Sequence, residues 1–137
     1  GIAFSNSMVG MVHALAHALG GVCHVPHGMA NAILLPWCLE YNIKKVPDYI
    51  AELSGLLGGA RAYLGPREQA EETISLIRNL LKKLNKISGI PEKLRDAKVE
   101  EDQLPEAAEA AINDGALVYN PREVSYEDAL AVYGKAF

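Results

Sequence analysis

Charge is nearly missing from the first third of this 137-residue sequence. Residues 1–43 carry one formally charged side chain, Glu40, when histidine is counted neutral. The remaining residues hold the other 16 acidic and all 13 basic groups. A surface segment of a small protein is normally solvated by charge, so the first third reads as a stretch to be enclosed. Basic excess is missing as well. The net charge of −4 lacks the concentrated positive surface that nucleic acid requires, so nucleic-acid binding is not expected. The cluster Lys82, Lys83 and Lys86 is broken by apolar residues and reads as the wet side of a helix.

Long apolar runs are lacking too. The nearest, Ala30–Leu39, contains Asn31 and Pro36 and falls short of a membrane span. Cysteine is scarce: Cys23 and Cys38 stand 15 apart, which excludes a Cys-x-x-Cys redox pair and a disulfide framework. With no targeting segment visible at Gly1-Ile2-Ala3-Phe4-Ser5, both are expected as reduced, space-filling thiols in a cytoplasmic protein. No Gly-x-Gly-x-x-Gly is available to hold a dinucleotide pyrophosphate. No stretch alternates with the period of a strand. The 50% hydrophobic content nevertheless excludes wholesale disorder and allows one domain with a real core.

Helical spacing runs through most of the chain. Ser5–Leu19 is expected as a first helix, capped by Ser5 or Ser7 and ended by Gly20-Gly21, with Met8, Met11, Val12, Leu15 and Leu19 as its apolar stripe. Gly10 within it offers a place for close packing. After the connection Val22–Pro26, a second helix runs from His27 or Gly28 to about Tyr41, with Pro36 kinking it or forcing a local rearrangement. A third covers Val46–Gly58, burying Ile50, Leu53, Leu56 and Leu57. Pro66 and Glu68 open a fourth, buried through Ile74, Ile77, Leu80, Leu81 and Leu84. Leu94–Val99 reads ambiguously. Alanine-rich Leu104–Asp114 forms another helix, stopped at Asn113-Asp114-Gly115. Ser125 and Asp128 resemble a capping box before a last helix, Tyr126 to about Ala136. The expected fold is all-α, a single helical domain over residues 1–137.

Three of the four histidines form one pattern. His13 and His17 are four apart and share a helix face, and His27 follows a short connection that can fold it back opposite His13. Imidazoles converging from two helices make a plausible half-site for zinc or iron(II). A buried histidine that donates to a carbonyl is the plainer alternative. The shell is also incomplete: Cys23, His24 and Glu40 are the only other candidates in the neutral segment, and none is well placed. The missing ligands would then lie outside this chain.

The run Gly1-Ile-Ala-Phe-Ser-Asn-Ser-Met-Val-Gly-Met-Val-His-Ala-Leu-Ala-His-Ala-Leu-Gly-Gly, continued by Val25-Pro-His-Gly-Met-Ala-Asn-Ala-Ile-Leu-Leu-Pro36, resembles the iron-containing alcohol dehydrogenase family. Asn120-Pro-Arg and Tyr126-Glu-Asp-Ala-Leu-Ala-Val-Tyr133 are similar to the family's C-terminal end. The resemblance implies the all-helical C-terminal domain of a dehydroquinate synthase-like fold, whose NAD(P)-binding α/β domain precedes the point where this chain starts. It implies a divalent metal, iron first and zinc second, held by one Asp and three His, of which His13 and His27 match two. It places His17 near substrate and nicotinamide, as a catalytic residue. A metal acting as Lewis acid on the alcohol oxygen and hydride transfer to NAD or NADP would interconvert an alcohol and an aldehyde or ketone.

The partners so implied are the missing N-terminal domain, a small alcohol or aldehyde, and a second copy in a homo-oligomer. The chain alone is expected to be inactive. The alternative from another class is a stand-alone helical scaffold, docking through its neutral first segment. Exposed apolar surface over residues 1–43 would favour the scaffold, and a histidine-lined cleft the enzyme. Asn120-Pro121-Arg122 reads as a turn and surface ion pair rather than a catalytic arginine.

Overall fold

The computed structural model describes residues 2, 5, 8–59 and 64–137. From Met11 on, six α-helices follow: α1 Met11–Cys23, α2 His27–Asn42, α3 Pro47–Ala51, α4 Pro66–Ser88, α5 Leu104–Ile112 and α6 Tyr126–Ala136. Short 3₁₀ segments at Ser54–Leu57, Arg95–Ala97, Glu101–Gln103 and Gly115–Tyr119 lie between them. No strand occurs among the described residues, as the missing period-2 alternation predicts.

Helix α1 is shifted along the sequence from its expected place. It starts at Met11 because Met8 adopts a left-handed φ of 57° and residues 8–10 leave the helical path. Ser5 therefore stands before the break and does not cap this helix, and the proposed Ser7 cap lies outside the described residues. Gly20-Gly21 does not end α1 either. The helix runs on through Cys23, since Val22 and Cys23 pack against the core and offset the roughly 1 kcal/mol that each helical glycine costs. His24 is the terminator. Its left-handed φ of 57° lets its N–H and that of Val25 both reach the Leu19 carbonyl.

Pro36 does not end α2; the helix continues to Asn42 and the proline ring is fully buried. The expected third helix divides into α3 and the 3₁₀ segment at Ser54–Leu57, so its apolar positions no longer share one face. Ile50 is buried, whereas Leu53, Leu56 and Leu57 are exposed. On α4, Ile74 and Leu81 are buried, but Leu80 and Leu84 are exposed. Other local expectations hold. Glu68 accepts from the Gly65 N–H at 3.0 Å, opening α4. Ser125 and Asp128 exchange a reciprocal pair of 3.2 Å bonds at the start of α6.

The main core joins α1, α2, α5 and α6, and a smaller one joins α3 to α4. Alanine does much of the packing: Ala14, Ala16, Ala30, Ala107, Ala108, Ala111 and Ala129 are all fully buried. Small side chains bring helix axes close, so the alanine richness serves packing as well as helix propensity. Cys38 is buried among them, and burial pushes its thiol well above the usual range. Tyr133, also fully buried, donates its hydroxyl to the Leu15 carbonyl at 2.8 Å and ties α6 to α1.

Asn120 is the other long-range tie. Its Oδ1 accepts from the Met11 N–H at 3.2 Å and from Asn42 Nδ2 at 3.0 Å. Its Nδ2 returns a bond to Asn42 Oδ1 at 3.0 Å and also reaches the Arg122 carbonyl. One side chain thus caps α1 and secures the end of α2. A Cβ at Gly10 would stand 3.1 Å from Asn120 Oδ1, so this approach explains the glycine. Arg122 stacks over the Tyr41 ring at 3.8 Å, and its contact with Asp128 is a long 4.0 Å. The sequence expectation of a turn and an ion pair therefore understates Asn120.

We expect Asn120→Ala to lower the unfolding free energy by about 2–3 kcal/mol, since it strands the Met11 N–H and the buried Asn42 amide. Arg122→Ala should cost less, about 1–2 kcal/mol, for a half-buried cation–π contact and a 3.3 Å bond to the Tyr41 carbonyl. Urea unfolding of both variants checks the order. A second expectation concerns alkaline pH. Burial, then the bond to Asp128, pushes the Tyr41 phenol up to about 12. The folded state favours its neutral form, so this contribution is complete below an ordinary tyrosine pKa of about 10 and disappears as pH rises through the folded value. The urea midpoint should fall over that interval, and fall less in Tyr41→Phe.

Candidate functional site

The exit from the α1 helix at His24 leaves only Val25 and Pro26 before α2 begins. That short return places His27, the first residue of α2, over the face of α1 that carries His13 and His17. The ring centroids are 5.3 Å apart for His13 and His27, 5.2 Å for His17 and His27, and 6.0 Å for His13 and His17. All three sequence-predicted site residues thus meet at one place. His13 is half-buried, while His17 and His27 are exposed. His24 points elsewhere, exposed at the end of α1.

Electrostatics favour a neutral ring at His13. Burial, reinforced by His27 and then His17, lowers the His13 pKa; Asp114 opposes this. A neutral imidazole keeps the lone pair that a metal needs. Asn31 holds His27 from one helical turn on, donating Nδ2 to the His27 carbonyl at 2.9 Å and lying 3.0 Å from Nε2. The Asn31 Oδ1 is buried with no hydrogen-bond partner among the described residues. A cleft of about 740 Å³ opens beside these groups, lined in part by Met11, His13, His27, Asn31, Asn42 and Asn120.

His13 and His27 suit a borderline divalent metal such as iron(II) or zinc by donor chemistry, and would fill half of a four-coordinate shell. Among the described residues, no group of three or more His, Cys, Asp or Glu is placed to hold a metal ion. The fit is therefore that of a partial shell, with an orphaned amide oxygen beside it.

Asp114 was not anticipated as a site residue; the sequence marks it only as part of a helix stop. Its Oδ2 lies 2.8 Å from His17 Nδ1 across 97 positions of sequence. Its Oδ1 accepts from the Ala116 N–H at 2.7 Å. Burial pushes the Asp114 carboxyl up, but the Ala116 bond, then the hydrogen bond and charge of His17, outweigh it and leave the pKa lowered. Nothing in local spacing pairs Asp114 with His17. An aspartate after a helix and before Gly-Ala does suggest a residue that caps a turn.

No helix of the described residues is long and apolar enough to cross a membrane. The chain is 39% identical over its full length to 1,3-propanediol dehydrogenase of Klebsiella pneumoniae, and 34% identical to lactaldehyde reductase of Escherichia coli K12. It spans about a third of those relatives, 34% and 35% of their lengths. Among solved structures, it aligns over its full length with 35% of an alcohol dehydrogenase from Oenococcus oeni, at a TM-score of 0.92 and 36% identity. A 1,3-propanediol oxidoreductase structure aligns with 93% of the chain, covering 32% of its own, at a TM-score of 0.84 and 39% identity. The profile of the Fe-containing alcohol dehydrogenase family, C-terminal, matches residues 1–137, and the chain belongs to that family.

Proposed function

We propose that residues 1–137 form the metal- and substrate-facing helical domain of an NAD(P)-dependent alcohol dehydrogenase, whose NAD(P)-binding domain is a separate part of the same protein. The observation that carries this reading is the meeting of three imidazoles from two helices beside an open cleft, in a chain of this family. The substrate is a small alcohol, interconverted with its aldehyde or ketone. The names of the relatives, acting on propanediol and lactaldehyde, support a short, hydroxylated substrate. A histidine-lined cleft also favours the enzyme over a docking scaffold.

In this reading His13 and His27 are metal ligands. A bound iron(II) or zinc supplies Lewis-acid polarisation of the substrate oxygen. The chain's own contribution is placement. Helix α1 holds His13 in a half-buried position that keeps it neutral, and Asn31 secures the His27 backbone through its carbonyl. His17, one turn along α1 from His13, faces the substrate and nicotinamide with the ring nitrogen that Asp114 leaves open. The apolar wall of α1 and α2 limits water at the reacting carbon.

Two outcomes test this. The 137-residue chain alone, given NAD or NADP and short primary alcohols or diols, should show no turnover above background in a nicotinamide absorbance assay; measurable turnover would overturn the two-domain reading. The same chain should bind zinc weakly by calorimetry. His13→Ala and His27→Ala should each weaken that binding about tenfold or more, at least the effect of losing an outer-shell partner. His24→Ala should leave it unchanged, and equal binding by all three variants would remove His13 and His27 as ligands.

A further inference from the structure

We propose that Asp114 is a positioning residue that sets the tautomer of His17, holding the proton on Nδ1 and leaving Nε2 as a bare acceptor. An ionised carboxylate only accepts hydrogen bonds, so the 2.8 Å contact from Asp114 Oδ2 requires a proton on His17 Nδ1. An unconstrained neutral imidazole prefers its proton on Nε2, and Asp114 reverses that choice. The carboxylate is itself fixed. Its second oxygen takes the Ala116 N–H at 2.7 Å, at the first turn of the 3₁₀ segment Gly115–Tyr119. Asp114 retains 24% side-chain exposure against 46% for His17, so the more enclosed partner aligns the freer one. Its lowered pKa keeps it ionised at neutral pH.

The ring is also constrained in plane. His17 lies nearly parallel to His27, at an interplanar angle of 19°. With one edge bound and one face covered, Nε2 presents a single lone pair, and any hydroxyl that reaches it must donate. The role in catalysis rests on His17 facing substrate, as proposed above; the tautomer does not.

Long-range ¹⁵N–¹H correlation on the ¹⁵N-histidine-labelled chain, at alkaline pH where imidazoles carry one ring proton, reads the tautomer directly. The His17 signals are assigned by their loss in His17→Gln. We expect a protonated Nδ1 and a bare Nε2 in the wild type. In Asp114→Asn the amide oxygen can keep the Ala116 bond while its N–H₂ faces His17 Nδ1, so the proton should move to Nε2. A wild-type proton on Nε2, or a tautomer unchanged by Asp114→Asn, would overturn the proposal. Should the variant fail to fold, the wild-type spectrum alone decides. In the complete enzyme, Asp114→Asn should lower kcat about 10–100-fold with little change in KM, the scale of an outer-shell loss. A switched tautomer with unchanged kcat would uphold the positioning role and overturn the placement of His17 at the reacting group.

Discussion

The arrangement rests on one side chain satisfying polar groups that helix ends leave open. Helix starts expose N–H groups, and burying them unpaired costs more than a typical hydrogen bond returns. At the start of α1 the remedy comes from Asn120, brought back across 109 positions of sequence. The same amide pairs reciprocally with Asn42, so the beginning of α1 and the end of α2 are fixed by one group. The orientation of these two helices then decides where the histidines lie. A few residues earlier in the same returning segment, Asp114 meets His17. The segment between Asp114 and Asn120 is therefore fastened at both ends to α1.

This gives the uncharged first third a structural meaning. Helices α1 and α2 supply nearly half of the main core's buried residues and also the wall of the cleft, so one stretch of sequence serves stability and site at once. Residues that face the protein are alanine, leucine and isoleucine. The opening is lined by histidine, asparagine and methionine together with Val12, Ala32 and Leu35, none of them charged when histidine is neutral. A formal charge in this wall would have to be desolvated or paired by anything that filled the cleft. Glu40 lies away from the opening and pairs with Arg78 at 3.0 Å.

Much of this was legible in the sequence, within a definite limit. Apolar spacing identifies α4, alanine richness α5 and a capping box α6, although α4 buries only Ile74 and Leu81 of its expected stripe and leaves Leu80 and Leu84 exposed. The four-residue interval between His13 and His17 puts both on one face without further information. What periodicity cannot report is how tertiary contacts move an end. Glycine pairs mark a weak point in a helix, yet the packing of Val22 and Cys23 carries α1 past Gly20-Gly21. The leucines at 53, 56 and 57 fit a helix pattern but lie on a chain that tightens into 3₁₀ geometry. Asp114 and Asn120 escape local reading for a different reason. Their partners are about a hundred residues away, and short polar residues near glycine and proline look like ordinary turns.

The left-handed turn at His24 has a consequence for the spacing of the histidines. A helix advances about 100° per residue, so a residue inserted between Cys23 and His27 would not merely lengthen the connection. If the connection kept its length, the added residue would become the first of α2 and turn every later side chain around the axis by that amount. The imidazole of His27 would leave the face of His13. The length of this loop acts as an angle, and the 14-residue interval from His13 to His27 is a statement about direction rather than distance.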